Sequence, residues 1–285
     1  MSLRIGVHPN NIHLTLAERW PNALDNLDRM FVNYLEGRDS AKLLAAGTID
    51  LCGTGSTPPL LAEAAGLDVV YVAASAPRPA NGGIVVAIDA PFRTIADLRG
   101  ARIALLDGSF HTYLLAKVIE GVGLSLRDVI RVELSPGASL QALGSGAVEA
   151  WVAMAPLLDQ SLAAGRTRLL APCGAKIPNR SIFWSLDRRG LVAGMIDNIV
   201  SALAEFGDEI ASAPDRAADL LAEADLADVD RGTWRKIICA RDWRIVPMTD
   251  AIIAEQQAEA DTLARHGDLV RPIRLAGRSS SSSAA

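Results

Sequence analysis

At 285 residues, half of them apolar and 21% charged, the chain can bury the core of one large domain or of two lobes, and it lacks the low hydrophobicity and high net charge of disordered proteins. A formal net charge of -5, with Lys and Arg scattered rather than clustered, excludes a basic field for non-specific nucleic-acid binding. No apolar run reaches the ~18 residues that span a bilayer, and the widely spaced Cys52, Cys173 and Cys239 form neither a disulfide framework nor a zinc pattern.

Met1-Ser2-Leu3 runs straight into a strand-like Arg4-Ile5-Gly6-Val7, with no secretory n-region, h-region or cleavage site. The expectation is a cytoplasmic protein, or one whose leader is absent from this chain. Strands are predicted at 3–7, 49–52, 69–73, 83–88, 102–106, 129–134 and 150–154. Helices are predicted between them at 40–46, 58–65, 94–98, 112–121, 140–143 and 156–164. That alternation indicates an α/β fold with largely parallel sheets. Beyond Leu191 the pattern turns helical, with a 3.6-residue period over 195–210 and 249–263. The Ser/Ala tail from Ser279 reads as low complexity.

Residues 44–50, LAAGTID, echo residues 143–149, LGSGAVE. Each reads as a helix end, a glycine C-cap and a strand led by an acid. The echo suggests two similar α/β lobes, with a boundary near Gly82-Gly83 and a return crossing near 183–186.

Four turns follow strands and open helices, at the carboxyl ends where open α/β sheets bind ligands. In Gly53-Thr54-Gly55-Ser56-Thr57-Pro58-Pro59, Ser56 or Thr57 can cap the helix, and a proline at its first position loses no hydrogen bond. The glycines admit a ligand close to the backbone, and free N–H groups with the helix dipole favour an anion. An ordinary capped turn has the same pattern. In Asp107-Gly108-Ser109-Phe110-His111-Thr112, Ser109 is a cap and a hydroxyl donor, and His111 a donor or pH-sensitive group. Ser135-Pro136-Gly137-Ala138-Ser139 and the turn from Trp151 through Met154 to Pro156 are the other two. Asn10 and Asn11 offer amides after the first strand. Arg78 either grips an anion bidentately or stays solvated. His8 and His13, without a nearby acid or cysteine, make a poor metal site. The G-x-S-x-G, Walker A, H-E-x-x-H and G-x-G-x-x-G signatures are absent.

The run LAAGTIDLCGTGSTPP at 44–59 is similar to the L-x-x-G-x-I-D-x-x-x-x-G-[DE]-T-P-P pattern of the substrate-binding proteins of ABC importers for aliphatic sulfonates, related to taurine- and nitrate-binding proteins. Segments at 69–72, 94–100, 107–109, 146–151 and 246–249 resemble that family in the same order and spacing, and the likeness runs from Ser40 to about Leu275. The resemblance implies a two-lobe periplasmic-binding-protein type II fold with a ligand cleft between lobes and two hinge strands. Residues 1–83 and 185–285 then form lobe I and 84–184 lobe II. It implies a periplasmic monomer that captures a small organic anion, an aliphatic sulfonate, for an ABC importer permease, with no cofactor, metal, catalytic residue or nucleic-acid partner.

By transfer, Thr57, Ser109 and Trp151 face the cleft, and Asn10 and Asn11 occupy the first loop. With the turns read above, the ligand-binding candidates are Asn10, Asn11, Gly55, Ser56, Thr57, Arg78, Ser109, Phe110, His111, Trp151 and Met154. Helix starts near Thr57 and Ser109 are expected to hold the anionic head, Arg78 to add charge, and Phe110, Trp151 and Met154 to pack the tail. Ser56 replaces the family's acid. Met154-Ala155-Pro156 stands where relatives read W-D-P, which removes an aromatic and a carboxylate and disfavours a taurine-like ammonium. The same superfamily fold hosts thiamine-pyrimidine synthases and a desulfinase. A cytoplasmic enzyme or ligand sensor, with Cys52 or His111 reacting, is therefore the alternative reading.

Overall fold

The computed structural model describes residues 2–78, 81–174, 177–224 and 229–275; the low-complexity tail lies outside them. β1 (Leu3–Val7) leads to α1 (Ile12–Arg19), β2 (Arg29–Asn33), α2 (Ser40–Ala46), β3 (Leu51–Thr54), α3 (Thr57–Ala64) and β4 (Val69–Ser75). Next come β5 (Gly82–Ala87), β6 (Arg102–Leu105), α4 (Phe110–Glu120), β7 (Ile130–Glu133), α5 (Pro136–Gly144), β8 (Ala150–Met154), α6 (Leu157–Ala163) and β9 (Thr167–Pro172). The chain then runs through β10 (Ile182–Leu186), α7 (Ala193–Ser212), α8 (Pro214–Glu223), α9 (Arg231–Cys239), β11 (Ile245–Pro247) and α10 (Asp250–Arg265). Among the described residues no helix is long and apolar enough to cross a membrane.

Contacts gather the chain into two units. Unit 1 holds Met1–Ala76, Arg180–Asp261 and Leu269–Ala285, and unit 2 holds Pro77–Asn179 and Thr262–Asp268. β5 and β10, where the sequence reading put its two divisions, each belong whole to one unit. The sheet of unit 1 has the order β11-β4-β10-β3-β1-β2, and that of unit 2 the order β7-β6-β8-β5-β9. Both are mixed rather than largely parallel. Each has a parallel trio, β2-β1-β3 or β7-β6-β8, followed by one strand antiparallel to both its neighbours, β10 or β5.

The sheet of unit 1 is covered on both faces, which is why β10, IFWSL, is apolar at every position but Ser185. Its side chains alternate between faces. Phe183 joins Leu14, Phe206 and Trp234, while Ile182, Trp184 and Leu186 join Leu44, Cys52 and Ile252. In unit 2, Trp151 packs with Val85, Ala104, Leu143 and Leu158.

The sequence echo is a structural repeat. Arg4 donates from its guanidinium to the Asp50 carboxylate at 2.8 and 2.6 Å and to the Gly47 carbonyl, and its backbone N–H meets Asp50 at 3.0 Å. Arg102 repeats this in unit 2 with Glu149 at 2.5 Å and the Gly146 carbonyl at 3.0 Å. Gly47 and Gly146 share a φ of 73°, the left-handed conformation that ends a helix without a Cβ clash. Burial pushes the Asp50 pKa up, and the Arg4 hydrogen bonds more than reverse it, holding the carboxyl below its ordinary value. Asp50 is the better buried of the two acids, at 14% against 28% side-chain exposure. Asp50→Asn is therefore expected to lower stability by about 2 kcal/mol and Glu149→Gln by less than about 1 kcal/mol. Urea unfolding of the two variants checks the ranking, which equal losses would contradict.

Candidate functional site

In unit 1 the turns after β1 and β3 meet. His8 Nε2 donates to the Gly53 carbonyl at 2.9 Å, leaving Nδ1 as an unpartnered acceptor. Burial lowers the His8 pKa to about 4, so the ring is neutral at physiological pH. Asn11 caps α1, its Oδ1 accepting from the Leu14 N–H at 3.1 Å. Its Nδ2 lies against Gly53, where a Cβ would come within 2.3 Å of it. That amide is buried and has no hydrogen-bond partner.

Ser56 is the N-cap of α3 but makes no capping hydrogen bond. A cap hydroxyl normally accepts from the second or third helical N–H, and here those residues are Pro58 and Pro59, which have none. The Ser56 Oγ is thus buried, with the residue 1% exposed, and its hydroxyl is turned to the Glu259 carboxyl of α10 instead. The same prolines remove two of the amides expected to cradle an anion, so donors at this turn must come largely from side chains. Thr57 Oγ1 donates to Glu259 Oε1 on α10 at 2.5 Å. Among the described residues no cation pairs with Glu259. Burial raises its pKa to about 7, and the Ser56 and Thr57 hydroxyls draw it partly back. Gln256, one turn earlier, has a buried Oε1 without a partner.

Sequence reasoning missed Glu259. Its one signal is position: Ile252, Gln256 and Glu259 fall at i, i+4 and i+7 of α10, and all three are buried. A carboxylate on a core-facing stripe needs a reason.

In unit 2 the turn from β6 to α4 is more fully committed than expected. Ser109 accepts from the His111 N–H at 3.1 Å and gives its only proton to the Leu106 carbonyl at 2.6 Å, so it is not a free donor. His111 Nδ1 accepts from the Leu106 N–H at 3.3 Å, which places the ring proton on Nε2. Burial lowers the His111 pKa to about 4, making it a neutral donor rather than a sensor near neutrality. Asp107 turns away to Arg131 at 2.9 Å. Phe110 packs edge-on to Tyr113. Trp151 sits in the core with Nε1 unpartnered, and Met154 Sδ fills the space beside Gly82.

Arg78, in the loop between β4 and β5, is partly buried. Its guanidinium donates to the Asn179 carbonyl at 3.4 Å and side-chain Oδ1 at 3.3 Å, its backbone N–H reaches the same carbonyl at 2.8 Å, and among the described residues no carboxylate pairs with it. Burial lowers its pKa to about 10, so it stays charged and uncompensated. Asn10 is exposed, and Gly55 is partly buried, its carbonyl accepting from Thr54 Oγ1 at 2.8 Å. Cys52 is fully buried against the Trp184 carbonyl, and burial pushes its thiol pKa far up, which removes it as a nucleophile.

Residues 25–169 match the family profile described as NMT1/THI5 like. The chain belongs to the NMT1/THI5-like family. A protein of Escherichia coli (strain K12) named for binding aliphatic sulfonates is 34% identical over 176 residues, 59% of this chain and 54% of that protein, so the match spans about half the length of that relative. A protein of the same name from Bacillus subtilis (strain 168) is 26% identical over 267 residues, 91% of this chain and 80% of its own. The alkanesulfonate-binding protein SsuA from Xanthomonas axonopodis pv. citri, solved bound to MOPS, superposes with a TM-score of 0.85 at 28% identity over 95% of both chains. The desulfurization enzyme DSZB shares the fold at a TM-score of 0.67 and 21% identity, over 96% of this chain and 94% of its own.

Two outcomes follow for this NMT1/THI5-like chain. Ser56→Ala, which deletes a hydroxyl that favours the ionised Glu259 carboxylate, is expected to lower stability by up to ~1 kcal/mol at pH 8 and by less at pH 5; equal losses at the two pH values in urea unfolding contradict this. Glu259 has a raised pKa, so its stabilising protonated form is complete below its ordinary 4.5 and is lost as pH rises through about 7. Wild type is expected to lose a few kcal/mol between about pH 5 and 8, and Glu259→Gln to show no such decline.

Proposed function

We propose that this protein is a solute-binding protein that captures a small organic anion, an aliphatic sulfonate, and delivers it to an ABC importer permease. One observation carries the reading. In unit 1 the turns after β1 and β3 hold a buried Asn11 amide that donates to nothing, and unit 2, taken by itself, carries the Arg78 guanidinium with no carboxylate partner among the described residues. Each buried donor without an acceptor costs about 1–3 kcal/mol. A sulfonate head brings three acceptor oxygens, a permanent charge and no donor, and so suits donors of either kind.

The printed names of the relatives and of SsuA support the same ligand class. The protein works in the periplasm as a monomer, without a cofactor, and its partner is the permease. The buried Cys52 and the neutral His111 argue against the enzyme alternative.

Thermal unfolding against alkanesulfonates of graded chain length, nitrate, bicarbonate and a thiamine-type pyrimidine tests this. A ligand at about 100 times its Kd stabilises by roughly 2.7 kcal/mol. The expected result is a shift of several degrees with one sulfonate class and none with the pyrimidine. The reverse pattern overturns the ligand. In calorimetric titrations Arg78→Met is expected to weaken sulfonate binding by about 100-fold, the scale of a lost charge-assisted hydrogen-bonded contact. Asn11→Asp, which keeps the α1 cap but replaces the donor with a charged acceptor, is expected to weaken it by at least ~10-fold.

A further inference from the structure

We infer that anion binding at the Ser56–Thr57 turn is coupled to uptake of one proton by Glu259, which makes Glu259 a specificity-determining residue of the site. This rests on the anion-capture reading above. Thr57 has a single hydroxyl proton. With Glu259 ionised, that proton is committed to Oε1 across 2.5 Å, and Oγ1 shows only lone pairs elsewhere. An incoming anionic oxygen then meets an acceptor and, behind it, a buried negative charge with no cation partner among the described residues. Both are unfavourable where water is excluded.

Protonation reverses both. The Glu259 carboxyl O–H donates to Thr57 Oγ1, and the Thr57 proton is released toward the ligand beside the Ser56 hydroxyl, which also faces the carboxyl in a residue 99% removed from solvent. The proton comes from solvent and no covalent bond is made. The site thus selects a donor-free, fully ionised head together with a proton. A ligand that presents its own donor there binds better when Glu259 is ionised.

The groups around Glu259 leave it to titrate by itself. Ser56 and Thr57 of α3 face it with hydroxyls. From β4 it feels Tyr71, whose phenol donates to Glu63 on α3 at 3.1 Å. On its own helix Glu255 is taken up by Arg180 at 2.6 and 2.9 Å. Burial lifts the Glu259 pKa to about 7, while His8 and His111 sit near 4. A sulfonate has no proton to exchange in the neutral range, so a pH dependence there belongs to the protein.

The test is titration calorimetry with butanesulfonate between about pH 5.5 and 8.5, in buffers of different ionisation enthalpy. The intact protein is expected to take up a proton fraction that rises toward one per ligand, with affinity falling up to tenfold per pH unit above about pH 7. Glu259→Gln, a neutral mimic of the protonated acid, is expected to hold the low-pH affinity across the range. Flat affinity without proton uptake in wild type overturns this inference and leaves anion capture standing. A pH slope that survives in Glu259→Gln assigns the proton elsewhere and also overturns it. No binding of butanesulfonate at any pH overturns both. The wild-type proton count needs no variant, so a misfolded Glu259→Gln does not blunt the test.

Discussion

Both units rest on one clamp. An arginine on the central strand of the parallel trio holds the acid before the third strand and the carbonyl of the helix-ending glycine, through Arg4, Asp50 and Gly47 in one unit and Arg102, Glu149 and Gly146 in the other. A βαβ crossover is free to slide along its sheet until something ties the helix end to the strand start. The clamp ties all three elements at one point. It sits at the edge where the third strand begins, and so fixes where that strand stops, at Thr54 or at Met154. The turns that follow inherit their position from it.

What those turns offer is set by which protons are already spent. Ser109 looks like a donor and is not one, because the Leu106 carbonyl has taken its proton. Ser56 looks like a cap and is not one, because two prolines have removed the N–H groups it would accept from. The two serines are chemically alike, and their local neighbours send them to opposite fates. Among the described residues, Arg78 in unit 2 has no acid paired with it, and Glu259 in unit 1 has no base paired with it.

Much of this was legible in the chain, and the gaps have physical causes. The LAAGTID and LGSGAVE echo was readable because a helix end, a left-handed glycine and an acid-led strand are all local features. β2 and β9 were not foreseen, since they lie at sheet edges with half-exposed side chains and carry no clean period. The antiparallel insertion of β10 and β5 is a tertiary choice that no local pattern encodes. Of the candidate binding residues, Asn11, Ser56, Thr57 and Arg78 were readable as residue types at strand ends and in loops. Glu259 was not, because its partner Thr57 is 202 residues away and its helix reads as an ordinary amphipathic one.

The place of β10 has a consequence for how the chain matures. Trp184 on β10 binds Thr54 across 130 residues of sequence, and β10 lies between β3 and β4 in the middle of the sheet. Unit 2 is nearly continuous in the chain, lacking only the short segment Thr262–Asp268. During synthesis from the ribosome, β1 to β4 emerge first yet must wait, with β3 and β4 missing their shared neighbour, until all of unit 2's sheet has been made. Pairings that close such long loops are slow, and the open strand edges are exposed meanwhile. The half of the protein that begins translation is therefore the half that finishes folding last, and the stretch between β3 and β4 is where a holding chaperone has the most to protect.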